Sequence, residues 1–365
     1  FINKKNMSRN NMKGVSLFSS AGIAETYFEE IGLNIQVANE IEKKRCDFFE
    51  YMYPNTKMIC GDIQNSEVKK EIIKYSIDKQ FLIATPPCQG FSTLGVTKKT
   101  ENLKDDERNF LIFDVIEIIK QCDFNYILIE NVPRFFKLFY PFENELKNIE
   151  YILKKIFNSK YELKFDVFDA KNLGVSQFRK RAIIRMFKRG LSWGDPKMSD
   201  KEITLRESIG HLPSLESGEK SNIPFHYSKT HNERDIMAMK HTPEGKSALL
   251  NPIHFPKRVD GKRISGFHNT YKRMRWDEPA KARTTNCGNI GSHNNVHPGR
   301  KLKNGTYSDS RVLTLLETFI VSSLPNEWSP PTWASDAFIR KMIGEAIPPL
   351  MCKKIVEPII GNEIN

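Results

Sequence analysis

Five continuous apolar runs set the frame of this chain. GVSLFSS (14–20), NIQVANE (34–40), MICGDI (58–63), FLIAT (81–85) and YILIE (126–130) each have the length of a strand, and most stop on small or acidic residues. Between them lie segments of helical spacing: AETYFEEIG (24–32), KKRCDFFEYMYP (43–54), and stretches over about 66–76 and 107–121. ENELKNIEYILKKIF (143–157) is expected to be another helix, and YELKFDVFDA (161–170) and RAIIRMF (181–187) two late strands. A strand that is apolar on both faces must be covered on both. Alternation with helices supplies that cover, so the expected fold class is α/β with a parallel sheet.

In such sheets ligands sit beyond the carboxyl ends of the strands. Ser20 to Gly22, Glu40, Asp62, Pro87 with Cys88, and Glu130 with Asn131 occupy those ends. Any one of them reads equally well as a loop residue or a helix cap; five successive ends do not. After Phe187 the alternation stops. Residues 188–308 are rich in Gly, Pro, Asn, His and Lys/Arg, with only short helical pieces such as 233–240, and read as a second, irregular domain. RVLTLLETFIVSSL and AFIRKMIGEAIPPLMCKKIVEPII restore helical spacing. The expected division is 1–187, 188–308 and 309–365, with the last segment returning to the first domain.

The charge has a location. The chain carries 56 Lys+Arg against 44 Asp+Glu, a formal net charge of +12. From Lys257 to Lys301 there are eleven basic and three acidic residues, and all eight histidines lie between His211 and His297. That balance suits a polyanionic partner, nucleic acid before membrane. No apolar run is long enough to span a bilayer and no signal peptide is evident, so a cytoplasmic location is expected. The six cysteines are scattered, with no CxxC pair or Cys/His cluster at zinc spacing, so no metal site is expected and the thiols are read as reduced.

The strand ends describe a nucleoside pocket. A turn of small residues lets a ligand approach the backbone at the end of the first strand. An acid after the second strand can accept both ribose hydroxyls, and an acid after the third can accept from an adenine amino group. Phe18, Glu40 and Asp62 provide these parts. GxxxxGK[ST] and GxGxxG are both absent, so an adenosyl ligand without phosphates fits better than a nucleotide or dinucleotide. S-adenosylmethionine is the obvious candidate.

Cys88 follows two prolines and precedes Gln89 and Gly90. Buried cysteines commonly serve as small hydrophobes, but rigid backbone before the thiol and free backbone after it present the side chain. Glu130 ends the next strand and faces the same crevice. A thiolate and a carboxyl together suit an electron-poor heteroaromatic ring: the thiolate adds to one ring carbon while the acid serves a ring nitrogen, and a neighbouring carbon becomes nucleophilic enough to take a methyl group.

These residues resemble the DNA (cytosine-5) methyltransferases of bacterial restriction–modification systems, over nearly the whole chain and in order. VSLFSSAGIAE resembles the cofactor loop, ANE and GDI the ribose and adenine acids, TPPCQGFS the nucleophile motif and ENVPRF the glutamate motif. QFRKRAIIRM, RVLTLLE and IGEAIPPLM resemble three later motifs. The resemblance implies a Rossmann-like S-adenosylmethionine-dependent methyltransferase sheet with a smaller, irregular target-recognition domain. It implies that Cys88 attacks C6 of a cytosine flipped from double-stranded DNA, that Glu130 serves N3, and that Arg181 with Arg179 holds the base and the active site. Phe18, Ala21, Gly22, Ile23, Glu40, Ile41, Asp62, Ile63, Pro87, Leu111, Ala346 and Ile347 are expected to line the S-adenosyl-L-methionine pocket. The chain departs from the family where Ser16 replaces an acid, Ser20 and Ile23 replace glycines, and Glu345 replaces an asparagine.

For DNA contact the expected set is Gln89 and Ser92 beside the nucleophile and Arg263, Arg273 and Arg275 in the basic segment. Arg283, Thr285, Asn286 and Asn289 complete it on the loop ARTTNCGNIGSHNN (282–295). The basic residues would mostly meet phosphates, and the loop carries side chains suited to base edges. A compact enzyme without regulatory domains points to a modification enzyme, with a cognate restriction endonuclease as partner and a monomeric state. The rival readings are a tRNA cytosine-5 methyltransferase, which would share the PPCQ and ENV motifs, and a non-catalytic DNA-binding relative.

Overall fold

The computed structural model describes residues 11–87 and 107–360. The first five strands are β1 (Met12–Leu17), β2 (Leu33–Glu40), β3 (Lys57–Cys60), β4 (Phe81–Ala84) and β5 (Tyr126–Asn131), all running parallel. A separate hairpin, β6 (Phe139–Phe142) and β7 (Glu145–Asn148), precedes β8 (Tyr161–Asp169) and β9 (Lys180–Lys188). The main sheet has the order β3-β2-β1-β4-β5-β9-β8, with β9 antiparallel to β5. Strand order reverses between β1 and β4, which puts the switch-point crevice at the carboxyl ends of these two strands.

The apolar runs are explained by cover on both faces. The helices between these strands are α1 (Lys43–Met52), α2 (Ser66–Ser76) and α3 (Leu111–Gln121). Val15, Leu17, Leu82, Ala84, Ile127 and Ile129 share one core with Ile112, Val115, Ile116 and Ile119 of α3. Across the sheet, Trp193 packs edge-on against Tyr126 at 5.8 Å between centroids, and its indole N–H donates to the Ile355 carbonyl at 2.8 Å.

Two expected helices are shorter than their periodicity suggests. In 143–157 only α4 (Ile149–Phe157) is helical; Glu143 and Asn144, with φ of 50° and 64°, instead turn the β6–β7 hairpin. The Asn148 side chain accepts from the Tyr151 N–H at 2.9 Å and starts the helix there. In 24–32 the regular helix is a three-residue 3-10 turn, Glu29–Ile31, closed by Gly32 at φ 82°. The bonds leading into it, Phe28 N–H to Glu25 and Ile31 N–H to Phe28, skip three residues rather than four.

The chain divides into two compact units. The first takes the chain up to residue 168, then 180–197 and the tail from 352; the second comprises 169–179 and 198–351. This corrects the boundary expected at 309. Residues 309–351 belong to the irregular unit because their side chains build its interior. That unit contains α5 (Leu205–Ile209), α6 (Glu233–Lys240), α7 (Leu315–Val321) and α8 (Asp336–Glu345), while α9 (Pro349–Ile360) leads back to the first unit after Pro348 and Pro349 break the helical run.

The interior of the second unit is part apolar and part ionic. Leu205, Ile209, Met274, Trp276, Leu313 and Val321 form one cluster. Beside it Arg311 makes a bidentate pair with Glu317 at 2.7 and 2.9 Å and reaches Asp309 at 2.9 Å, all three fully buried. Burial alone would raise the Glu317 carboxyl, but the Arg311 charge, neighbouring His297 and hydrogen bonds hold it at about 2. Burial, followed by the Arg311 charge, pushes His297 down to about 3, so it sits neutral between the two acids. Glu317 also accepts from the Thr314 N–H at 2.7 Å, so one carboxylate both caps α7 and neutralises Arg311. Removing one member of such a pair strands the other. Arg311→Ala is expected to cost about 3–5 kcal/mol, read as a lower denaturant midpoint; a loss below about 1 kcal/mol would show the pair to be dispensable.

Candidate active site

The ends of β1, β2, β4 and β5 are tied together by side-chain bonds to backbone. After β1 the chain passes through Phe18 at φ 57° and Ser20 at φ 48°, then Gly22 at φ 71°. A left-handed phenylalanine is uncommon and persists only where its surroundings hold it. Here Thr85, just past β4, donates its hydroxyl to the Phe18 carbonyl at 3.1 Å, and its N–H to the Leu17 carbonyl at 3.2 Å. Gly22 is required on two counts: its φ, and the Tyr53 ring, which an added Cβ would meet at 2.2 Å. The Tyr53 hydroxyl donates to the Gly22 carbonyl at 2.6 Å.

Glu40 organises the β2 side. Its carboxylate accepts from the N–H groups of Ser20 (3.0 Å), Ile41 (2.9 Å) and Glu42 (2.9 Å). One acid thus fixes the β1 loop against the start of α1. Asp62 is half-buried after β3 and accepts from the Gln64 N–H at 2.9 Å. Ala21, Ile23, Ile63 and Leu111 are buried, Pro87 is half-buried, and Ile41 is 59% exposed at the β2 end. Ala346 and Ile347 lie in the second unit, between α8 and α9.

Glu130 is buried at the end of β5, and Arg181 on the neighbouring β9 meets it at 2.5 Å from Nε to Oε1. The antiparallel register sets this pair: Glu130 lies opposite Ile183 and Asn131 opposite Ala182. The Asn131 amide donates to the Pro86 carbonyl at 3.1 Å, and its oxygen accepts from the Val132 N–H at 2.8 Å. Asn131 therefore fixes the proline step two residues before Cys88. Cys88, Gln89 and Ser92 themselves lie outside the described residues.

Arg179 is buried in the second unit, where its guanidinium donates to the carbonyls of Arg283 (2.8 Å) and Gly344 (2.9 Å). Gln177 accepts from the Arg283 N–H at 3.1 Å, so the QFRKR segment grips residue 283 from both sides. Arg283 is also buried, donating to Asn294 O (2.9 Å) and Lys281 O (3.0 Å). It closes the 282–295 loop rather than reading bases, which corrects its expected role. Thr285, Asn286 and Asn289 remain exposed on that loop. Arg273 is corrected in the same way: fully buried, it donates to the carbonyls of His297, Asp309 and Met239 and cannot meet a phosphate. Arg263 is exposed but engaged with the Leu249 carbonyl at 2.8 Å, and Arg275 is exposed near Glu278 at 3.6 Å.

One residue escapes the sequence reading. Ser16, standing where the family carries an acid, donates its hydroxyl to Glu25 Oε1 at 2.5 Å. An acid thus returns to this place from nine residues downstream, and only an isolated Glu among small and apolar residues marks it in the sequence. Glu25 is buried, and its Oε2 has no hydrogen-bond partner among the described residues. Burial pushes its carboxyl up to about 7 despite the Ser16 bond. Because the folded group holds its proton more tightly than the unfolded one, its contribution is intact below about pH 4.5 and is lost as pH rises toward 7. The loss above pH 7 is about 3 kcal/mol. Glu25→Gln is expected to gain stability over the wild type at pH 8 and little at pH 4.5, as compared by urea unfolding at both pH values; equal differences would contradict the buried neutral acid.

The C-5 cytosine-specific DNA methylase family matches residues 12–361. Type II methyltransferase M1.HgaI of Avibacterium volantium is 45% identical over 97% of this chain and 99% of its own length. Type II methyltransferase M1.HphI of Haemophilus parahaemolyticus is 27% identical over 96% of this chain and 87% of its own. Among solved structures, the Entamoeba histolytica methyltransferase EhMeth has a TM-score of 0.65 at 13% identity, covering 97% of this chain and 99% of that one, a likeness of fold. No helix among the described residues is long and apolar enough to cross a membrane. The chain belongs to the C-5 cytosine-specific DNA methylases and is a DNA (cytosine-5) methyltransferase.

Proposed function

We propose that this enzyme methylates a specific cytosine in duplex DNA through a covalent Cys88 adduct, with S-adenosylmethionine as methyl donor. The pairing of Glu130 with Arg181, beside the Asn131 bond to Pro86, carries this reading. It sets a held carboxyl next to the chain that delivers the thiol. Cys88 adds as thiolate to C6 of a flipped-out cytosine, while Glu130, oriented by Arg181, carries a proton to N3. The addition gives C5 the electron density to take a methyl group. Loss of the C5 proton then expels the thiolate and restores the ring. Flipping is required because these carbons are out of reach in the stack.

The donor supplies an electrophilic methyl. Phe18, held left-handed, offers a ring to its adenine, and Glu40 and Asp62 offer carboxylates to its ribose and adenine. Ala21, Gly22, Ile23, Ile41, Ile63, Pro87 and Leu111 would complete the pocket. The DNA methylase family and the Type II names of the similar proteins favour DNA over tRNA as substrate. Thr285, Asn286 and Asn289 are the base readers we retain, with Gln89 and Ser92 beside the nucleophile and Arg263 and Arg275 near the backbone. Arg179 acts by holding the reading loop. The Type II names of the similar proteins favour a restriction–modification role with a cognate endonuclease, and a monomeric, cytoplasmic enzyme is part of the same proposal.

DNA carrying 5-fluorocytosine at the target has no C5 proton to lose, so it is expected to trap a denaturation-resistant adduct with the wild type in the presence of S-adenosylmethionine. Cys88→Ser is expected to trap none and transfer no methyl group while still binding DNA in a gel-shift assay. A wild type that methylates cognate DNA but traps no adduct would overturn the covalent route.

A further inference from the structure

Residues 256–264 of the second unit, PKRVDGKRI, fold back as a short two-stranded ribbon. Lys257 and Arg263 form an antiparallel bridge. The Arg258 N–H donates to the Lys262 carbonyl at 2.8 Å, and the Ile264 N–H to the Pro256 carbonyl at 2.9 Å. Gly261 turns the tip at φ 79°, and Asp260 Oδ1 accepts from the Lys262 N–H at 3.0 Å. The foot is anchored as well. Arg263 lies over the Phe255 ring, 3.7 Å from its centroid, and donates to the Leu249 carbonyl.

A fixed foot carries a bare tip. Val259 is 90% exposed, and Lys257, Arg258 and Lys262 around it are exposed too. An apolar side chain held in water adds nothing to the stability of the chain, and three cations beside it favour a polyanion. Four residues of strand, from Pro256 to the tip, reach about 13 Å. The major groove is about 8.5 Å deep and about 12 Å wide, enough to admit a two-stranded ribbon to its floor. We propose that this ribbon enters the major groove of the substrate duplex, with Lys257, Arg258 and Lys262 on the phosphates and Val259 against base edges, where a thymine methyl is the apolar partner. The assignment rests on the duplex-DNA reading above and adds a specificity contact outside the 282–295 loop.

The test uses the full enzyme on duplexes built around the site that bisulfite sequencing of DNA from expressing cells identifies. Arg258→Gln is expected to lower the slope of log Kd against log salt by about 1 on every sequence. Val259→Ala is expected to keep that slope and the melting temperature. Its kcat/KM preference for the cognate duplex over duplexes altered at one base pair should fall about five- to tenfold, at one position only. A wild type that methylates no duplex overturns both the DNA reading and the ribbon. An active wild type with Val259→Ala discriminating as before overturns groove entry alone, whatever Arg258→Gln does to the slope.

Discussion

The hydrogen bond from the Asn131 amide to the Pro86 carbonyl is the constraint on which the active site depends. β4 and β5 are neighbours in the sheet, but sheet pairing ends at Ala84 and Ile129. Beyond that point nothing in the ladder fixes where the proline step goes. Asn131 does so from one side, and Thr85 does so from the other by bonding Phe18 and Leu17 of the β1 loop. Three strand ends become one rigid edge, with Glu130 and Arg181 paired upon it. Precision of this kind is what a covalent addition to an aromatic ring needs, because small misplacements of a nucleophile cost much of the rate.

The second unit solves a different problem. It has little regular structure, and beside its apolar clusters it builds part of its interior from buried arginines that saturate carbonyls. Arg273 gathers three backbone carbonyls, Arg283 closes its own loop, and Arg311 is neutralised by Glu317 and Asp309. Burial draws Arg273 and Arg283 down to about 10, which still leaves both charged at neutral pH. Loops held this way, with Gly344 of α8 packed against the Thr284 backbone, can present Thr285, Asn286 and Asn289 with defined geometry.

The sheet was legible in the sequence because each buried strand is a continuous apolar run with a distinct end, and GDI, ANE and ENV could be placed on those ends without coordinates. Where periodicity was the only guide, the reading was weaker. The helical spacing of 143–157 hid a hairpin, since Glu143 and Asn144 take left-handed conformations that the pattern does not encode. The basic segment was legible as a charge but not as a set of roles. Arg263, Arg273, Arg275 and Arg283 look alike in a sequence, yet two are buried scaffold and two are exposed. Glu25 was invisible for the converse reason: its partner Ser16 is a substitution away from an acid, and only the fold brings the two together.

Everything about this site turns on the methyl group going to carbon 5 of cytosine in DNA. The direct measurement is nucleoside analysis by mass spectrometry after incubating the purified enzyme with isotopically labelled S-adenosylmethionine and either duplex DNA or tRNA. Label is expected in 5-methyl-2′-deoxycytidine from the DNA alone. Label on an exocyclic amine, or in tRNA only, would contradict it.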